Sequence, residues 1–589
     1  MRPPFWKMAA PRKEDGHRQA RSGEMGVNPF TRSAGTRSFC DTAYASQDIS
    51  AMDHKLFVLF WFLLLQNLTP SMCSPILTHG CRPGTMKECK DTKFVPGHTL
   101  LGEGLDIVTL KTTGNFLFDL QEVENKCTVC ENPHKNSILQ KLPKAVVDWR
   151  PETSCSRNIQ SSVSQSKVSV ANEATSVVQN DWKVGLNVKV QVSASTAVGG
   201  SQSKMAKFAE SRSLIDKYNF LSHKLQCSFY SFSLGLNASF TPHFQKSLDE
   251  LPDFYNANNK DEYRRLIAKF GTHYITHVKV GGRAQEVTAV KTCQVAMNGL
   301  TIDEVKDCLS VEAEIEAYKM GKSASIDSKV EHCKNKLAKL RLGGHFHQKF
   351  KEHSEEVIGG SASFDLLSNK KNTDDVYKRW IESLKTNPGL VAYSLDSMHN
   401  LVKNRGPKKE NLRLAISDYI NEMALTQKCS CHGRHQGKDC SCTCPASKYT
   451  SSNCCPTHKG AAKLHVTIIS ATGLKGDFWS ETDAYVKFKF DGNDIRTPTI
   501  MNKNNPTWNI NFNLGVVRLG EDKMYTVEVW DEDNRSDDFL GRCEKVLNSG
   551  ENSDTCYLKH GSVSYSAKVT CVSHLDGSFC QDYISVPSD

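Results

Sequence analysis

Seven cysteines fall between positions 429 and 455: Cys429, Cys431, Cys440, Cys442, Cys444, Cys454 and Cys455. A segment that short cannot bury a core of its own, so covalent staples must hold it. Zinc is the competing use of such a cluster. The chain, however, has 22 cysteines in spaced pairs and few well-placed histidines, the usage of a disulfide framework in an oxidising compartment. The spacing fits a small growth-factor-like module over 428–459. It separates about 350 residues of mixed character from a C-terminal region of regular short strands, and 589 residues are too many for one core.

A targeting segment agrees with the cysteines. Lys55 precedes the apolar run Leu56 to Leu65, and small residues follow at Ser71 and Cys73. This is the layout of a secretory signal over 52–73, too short for a membrane-spanning helix. Met52 stands just before it, so 1–51 reads as a dispensable leader or a mis-assigned start. Cleavage after Cys73 removes Cys40 and Cys73. It leaves Cys81, Cys89, Cys127, Cys130, Cys155, Cys227, Cys293, Cys308 and Cys333 before the cluster, and Cys543, Cys556, Cys571 and Cys580 after it. With the cluster these make an even number. A mean hydropathy of -0.46 excludes a polytopic helical membrane protein. A net charge of +9 is mild, and with no zinc-finger spacing or RNA-binding aromatic motif no nucleic-acid partner is expected.

From Ala461 onward, alternating runs such as Leu464 to Ile469, Ala484 to Phe490 and Tyr525 to Trp530 predict a β-sandwich over 460–575, followed by a tail, 576–589. Two acidic groups lie at its strand ends: Asp477 with Asp483, then Asp531 and Asp533 with Asp537 and Asp538. Carboxylates this close repel unless a cation lies between them, and calcium takes 6–8 hard oxygen ligands. Thr482 to Lys487, Asn504 to Trp508, Val529 to Asp533 and Asp538 to Gly541 resemble the C2 domain. That resemblance implies calcium held by Asp477, Asp483, Asp531, Asp533 and Asp538, with Asp537 an additional or substitute ligand and Asn502 a further candidate. Phe478 and Trp479 sit in the first acidic loop, to enter a bilayer interface or to pack on the sandwich edge. Asn237 and Asn534 stand in glycosylation sequons.

Before the cysteine cluster, Phe270-Gly271-Thr272-His273-Tyr274 is followed by Gly281-Gly282. The pair suits a strand that bends, and His273 suits a core position. No nucleophile with a general-base partner accompanies it, so no enzymatic activity is expected. Two segments alternate strictly. One runs through Trp182, Val184, Leu186, Val188, Val190 and Val192, and the other through Leu309, Val311, Ala313, Ile315 and Ala317. Alternation fits a half-buried soluble strand as well as a lipid-facing one. On the pattern alone the soluble strand is favoured; each run is followed by a long polar, helix-compatible stretch, 195–225 and 319–348.

The glycine-threonine-histidine motif resembles the signature of the membrane-attack-complex/perforin family, over 74–427. The resemblance implies an α+β chain: a bent antiparallel core sheet with two helical clusters, the disulfide-rich module and the all-β C2 sandwich. It implies that the clusters unravel into transmembrane β-hairpins after subunits assemble into a ring or arc, because a lone hairpin leaves strand edges unmet in lipid. It further implies head-to-tail contact between Arg265 of one copy and Glu356 of the next. Cys308 and Cys333 are spaced to pair. Too few cysteines precede the core for the terminal-complement branch. The lytic branch implies secretory-granule storage, killing of target cells and granule proteases as cargo. A non-lytic, calcium-dependent tethering protein is the alternative.

Overall fold

The computed structural model describes residues 80–120, 127–156, 159–188, 190–191, 195–318, 324–339, 350–361, 376–403, 406–424, 435–437, 441–476 and 478–587. The chain divides into Met1–Ser74 and Pro75–Asp589, and the described residues all belong to the second unit. The leader and signal expectations, and those for Val192, Cys429, Cys431, Cys440 and Asp477, lie outside them.

The core is an antiparallel sheet. Its strands are β1 (Glu103–Asp106), β2 (Lys111–Phe116), β3 (Val146–Cys155), β4 (Gln160–Ser164), β5 (Tyr218–Leu234), β6 (His273–Lys291), β7 (His353–Ile358) and β8 (Gly389–Ser397). The order is β2-β1-β6-β5-β3, with β7 and β8 beside β6 and β4 beside β5. The long pair β5 and β6 changes neighbours midway. β8 pairs with β6 as far as Gly281, and β7 takes over at Arg283. On the other side β3 reaches Cys227 and β4 begins at Lys224. Both hand-overs fall at the glycine pair. A Cβ on Gly281 would lie 1.9 Å from the Cys227 carbonyl oxygen, and one on Gly282 would meet Leu384 and Trp380. Only glycine lets the backbones meet so closely at the bend.

Two helical clusters cover opposite faces of β5 and β6. The first holds α1 (Lys167–Thr175) and α2 (Lys204–Ser213). After α3 (Lys260–Phe270), which packs beside β1 and β2, the second holds α4 (Ile302–Tyr318) and α5 (Ala324–Lys339). Strand alternation sorts the contacts. Tyr218, Phe220, Val287 and Ala289 pack with Val170, Met205 and Ala209 of the first cluster. Leu221 and Val290, on the other face, pack with Val305, Cys308 and Leu309 of the second. Cys308 bonds Cys333, joining α4 to α5.

In this structure neither alternating run is a half-buried soluble strand. Leu309, Val311, Ala313, Ile315 and Ala317 lie in a helix, and Leu309, Val311 and Ala313 are buried. Val305, Cys308 and Leu309 are spaced i, i+3, i+4, so they make one helical face against Leu221 and Val290, and Glu312, Glu314 and Glu316 beyond them are good helix formers. Trp182 and Val184 lie in a turn, and Leu186 and Val188 follow it without regular structure, rather than in a strand. There the Trp182 carbonyl accepts a hydrogen bond from His273, and Ser417 accepts one from the Asn187 amide. Among the described residues of this run only Val190–Gln191 is extended, paired with Ser195–Thr196. Within 195–225 the helix is confined to α2, and Tyr218 onward is already β5.

In the cysteine-rich module, His435–Gln436 pairs with Cys442–Thr443 and Cys444 bonds Cys454. Cys455 bonds Cys293, fastening the module to the end of β6. Further disulfides join Cys81 to Cys130, Cys89 to Cys127, Cys155 to Cys227, Cys543 to Cys556 and Cys571 to Cys580. The sandwich holds β9 (Ala461–Thr472), β10 (Ala484–Phe490), β11 (Asn493–Arg496), β12 (Thr507–Arg518), β13 (Met524–Asp531), β14 (Asp538–Val546), β15 (Gly550–Tyr557) and β16 (Ser562–Cys571). Its sheets run β12-β9-β16-β15 and β11-β10-β13-β14, with Leu464, Val466, Phe488, Val527 and Tyr565 among the core between them.

Candidate functional site

Register brings the acidic residues together. Ala484 is the partner of Asp531, and Asp531 is the partner of Asp538. Loops 473–483, 497–506 and 531–538 therefore meet at one end of the sandwich. The Asp531 side chain is buried, and its Oδ1 accepts the Asp483 amide at 2.6 Å. Asp483 Oδ1 accepts the Asn502 amide at 2.6 Å. Asp537 accepts the Tyr485 hydroxyl at 2.6 Å and the Asp533 amide at 3.3 Å. The Tyr485 hydroxyl holds the Asp537 carboxyl below its ordinary range. Asp537 thus shapes the third loop from within, a role its sequence position does not distinguish from that of a ligand.

Asp483, Asp531, Asp533 and Asp538 are hard oxygen donors on converging loops, the chemistry calcium requires. Among the described residues no group of three or more His, Cys, Asp or Glu is yet gathered as a metal-binding set. Like charges instead turn toward backbone amides, and Gly476 packs so closely on Asp531 that an added Cβ would strike its Oδ2. The donor set fits a divalent cation. Asn502 presents its amide to Asp483, at a left-handed φ of 52°, and its side chain is exposed.

Phe478 and Trp479 are 81% and 93% exposed, with their rings stacked edge to face on each other and not on the sandwich edge. Met501, 61% exposed, stands on the adjoining loop and escaped the sequence reading. Its place beside Asn502, in a loop already singled out, is the signal that would have found it. These three apolar side chains stand exposed at the acidic end, where contiguous apolar surface is the pattern of an interaction site. Asn237 and Asn534 are both exposed.

The core motif is structural. His273 is fully buried: its Nε2 donates to the Trp182 carbonyl at 2.9 Å, and its Nδ1 lies 2.8 Å from the Thr272 hydroxyl. Burial lowers it to about 4, so it stays neutral. Thr272 also accepts the Ile107 amide. Gly271 has φ +83°, and a Cβ there would collide with Leu105 backbone.

Each helical cluster connects two strands that are already neighbours. Residues 165–217 join β4 to β5, paired from Phe220 with Ser164. Residues 292–352 join β6 to β7, paired up to Thr288 with His353. Arg265 is exposed on α3. Glu356 is engaged within the chain, 3.3 Å from Arg283. No helix among the described residues is long and apolar enough to cross a membrane, which leaves strands untouched as a means of crossing.

An antiparallel sheet flanked by two helical clusters, tied through a disulfide module to a β-sandwich with acidic loops, defines a class of membrane-directed proteins. The family described as "MAC/Perforin domain" matches residues 94–429, and that described as "C2 domain" matches residues 462–559. The chain belongs to the MAC/Perforin family and carries a C2 domain. It is 40% identical to Perforin-1 of Mus musculus over 543 residues, covering 90% of this chain and 96% of that protein. Identity to Perforin-1 of Homo sapiens is 38% over 519 residues, covering 86% and 93%. Complement component C8 alpha chain of Oryctolagus cuniculus is 27% identical over 292 residues, covering 46% of this chain and 49% of that one.

Proposed function

We propose that this chain is a secreted, calcium-dependent, pore-forming cytolytic protein. The observation that carries the reading is topological: each helical cluster is the connection of an existing antiparallel strand pair. If a cluster unravels, its pair lengthens as a hairpin in unchanged register. Residues 165–217 and 292–352 each exceed the two strands of about 9–11 residues that a bilayer requires.

Calcium, when bound, supplies positive charge at the acidic loops and a bridge to anionic headgroups. Asp483, Asp531, Asp533 and Asp538, with Asp477, would hold it. Phe478, Trp479 and Met501 then enter the interface and orient the sandwich on the target bilayer. Docked copies associate side by side, for which Arg265 and Glu356 are the proposed contact. Hairpins insert together, since only a closed wall satisfies strand edges in lipid. The resemblance extends this to storage in cytolytic granules and to passage of granule proteases.

Vesicle sedimentation and dye release, each measured with calcium and with chelator, test the reading. Both should require calcium, and Asp483→Asn should raise the calcium needed for sedimentation at least tenfold, because a ligand charge is lost. Binding without any leakage would leave a tethering protein and defeat the pore.

A further inference from the structure

Asp216 stands in the turn between α2 and β5, and its side chain is fully buried. Its socket is built by residues far away in the chain. The Tyr583 hydroxyl donates to its Oδ2, and the Val586 amide donates to its Oδ1 at 3.3 Å. His574 Nδ1 lies 3.4 Å from Oδ1, and Lys291 Nζ, at the end of β6, lies 3.7 Å from Oδ2. The segment 572–586, which brings three of these groups, is itself braced. Cys571 bonds Cys580, and Leu575–Asp576 pairs with Asp582–Tyr583. The His574 ring stacks on that of Tyr583 with centroids 5.9 Å apart, and Lys291 donates to the Ser585 hydroxyl at 3.2 Å. Burial works against the Asp216 charge, but the bonds from His574 and Tyr583 outweigh it and hold the carboxyl below its ordinary range.

Asp216 is also the next residue in line on its strand. β5 and β6 pair as far as Tyr218 with Lys291, and the Thr292 amide donates to the Lys217 carbonyl at 2.9 Å. In unchanged register Asp216 and Cys293 come next. Cys293 is bonded to Cys455, a covalent tie that refolding leaves intact. Asp216 is held by hydrogen bonds, which refolding can break. We propose that Asp216 is the pin by which the C-terminal segment 572–586 holds the first helical cluster, and that β5 lengthens only after this segment lets go of it. The lengthening rests on the pore-forming reading, whereas the holding stands without it. A buried carboxylate gives up charge-assisted bonds when it leaves such a socket, and this cost falls on refolding. Docking should be untouched, because none of these residues lies in the acidic loops.

Hydrogen exchange of the full chain, without membranes, tests the holding alone. Tyr583→Phe removes one hydroxyl and keeps the ring beside His574. The amides of α2 and of residues 214–217 should exchange about fivefold faster than in the parent, with those of β9 and β16 unchanged. A second variant, the chain ended at Gln581, keeps the Cys571–Cys580 bridge and removes Tyr583 and Val586; it should speed α2 further. Exchange in α2 no faster than the parent's in both variants overturns the holding. Exchange raised equally in β9 and β16 would make these residues general supports of the fold, and overturns it too. Dye release in calcium then reads the coupling. Both variants should sediment with vesicles at the parent's calcium concentration and release dye about threefold faster or more. Release no faster than the parent's, with α2 exchange raised, overturns the gating role. A parent chain that never releases dye overturns the pore and leaves the exchange result standing.

Discussion

His223 Nε2 lies 3.1 Å from Ser310 Oγ, which in turn lies 2.7 Å from Ser161 Oγ. The second helical cluster is thus hydrogen-bonded through α4 to both β5 and β4. The first cluster is held on the opposite face, where Glu173 of α1 accepts the hydroxyls of Ser162 and Ser164 at 2.6 and 3.2 Å. Glu173 thus fastens the first cluster to a strand that its own departure would lengthen, whereas Ser310 fastens the second cluster to the strand pair that the first would lengthen.

A covalent lock follows from that geometry. Ser161→Cys with Ser310→Cys places two thiols where two hydroxyls already touch. Oxidised, the double variant should dock on vesicles as the parent does but release no dye, and reduction should restore release. Leakage from a variant whose crosslink is verified by mass would sink the refolding mechanism.

Membrane grip is expected to depend on the apolar crown. Trp479→Ser combined with Met501→Ser should lower calcium-dependent vesicle binding at least tenfold, since about 1–3 kcal/mol accompanies burial of each such side chain. The thermal midpoint should not move, because both side chains project into solvent. Unchanged sedimentation would remove these residues from docking.

Acid should weaken the core through its buried histidines. His273 and His399 are each lowered by burial to about 4 from an ordinary 6.5. Below 6.5 the unfolded chain takes up protons that the folded chain refuses. Their contribution is therefore complete above that pH and is lost as pH falls toward 4. His273→Gln should flatten the decline of the thermal midpoint across this window. A decline as steep as the parent's would show that His273 does not set it.

Subunit contact can be tested by charge reversal. Arg265→Glu and Glu356→Arg should each abolish lysis, and the double variant should regain it in part. Recovery is limited because Glu356 already pairs with Arg283, so its reversal sets two cations against each other inside the chain. That cost appears as a lowered thermal midpoint in both variants carrying Glu356→Arg. Failure of the double variant to regain any lysis beyond either single would remove the contact.

Local patterns were readable without coordinates. The sandwich strands announce themselves by period-two alternation, and the acidic loops by carboxylates at strand ends, because both depend on neighbours a few residues away. The segment from Leu309 to Ala317 alternates like a strand, and in this structure it is a helix. Of its alternating residues Leu309, Ala313 and Ala317 also fit one side of a helix, and what chose the helix was contact of Leu309 with Leu221 and Val290, far off in the chain. Likewise, nothing near Glu356 reveals Arg283, and nothing near Asp537 reveals Tyr485.

The sequence by itself determined the order of the MAC/Perforin and C2 domains, the framework of cysteines and the carboxylates and aromatics carried on the sandwich loops. Tertiary structure alone decided that each helical cluster bridges strands already paired, and that the glycine pair sits where β6 exchanges one neighbour for another. Register and packing between distant segments are set by the summed burial of many residues, which no short window of the chain contains.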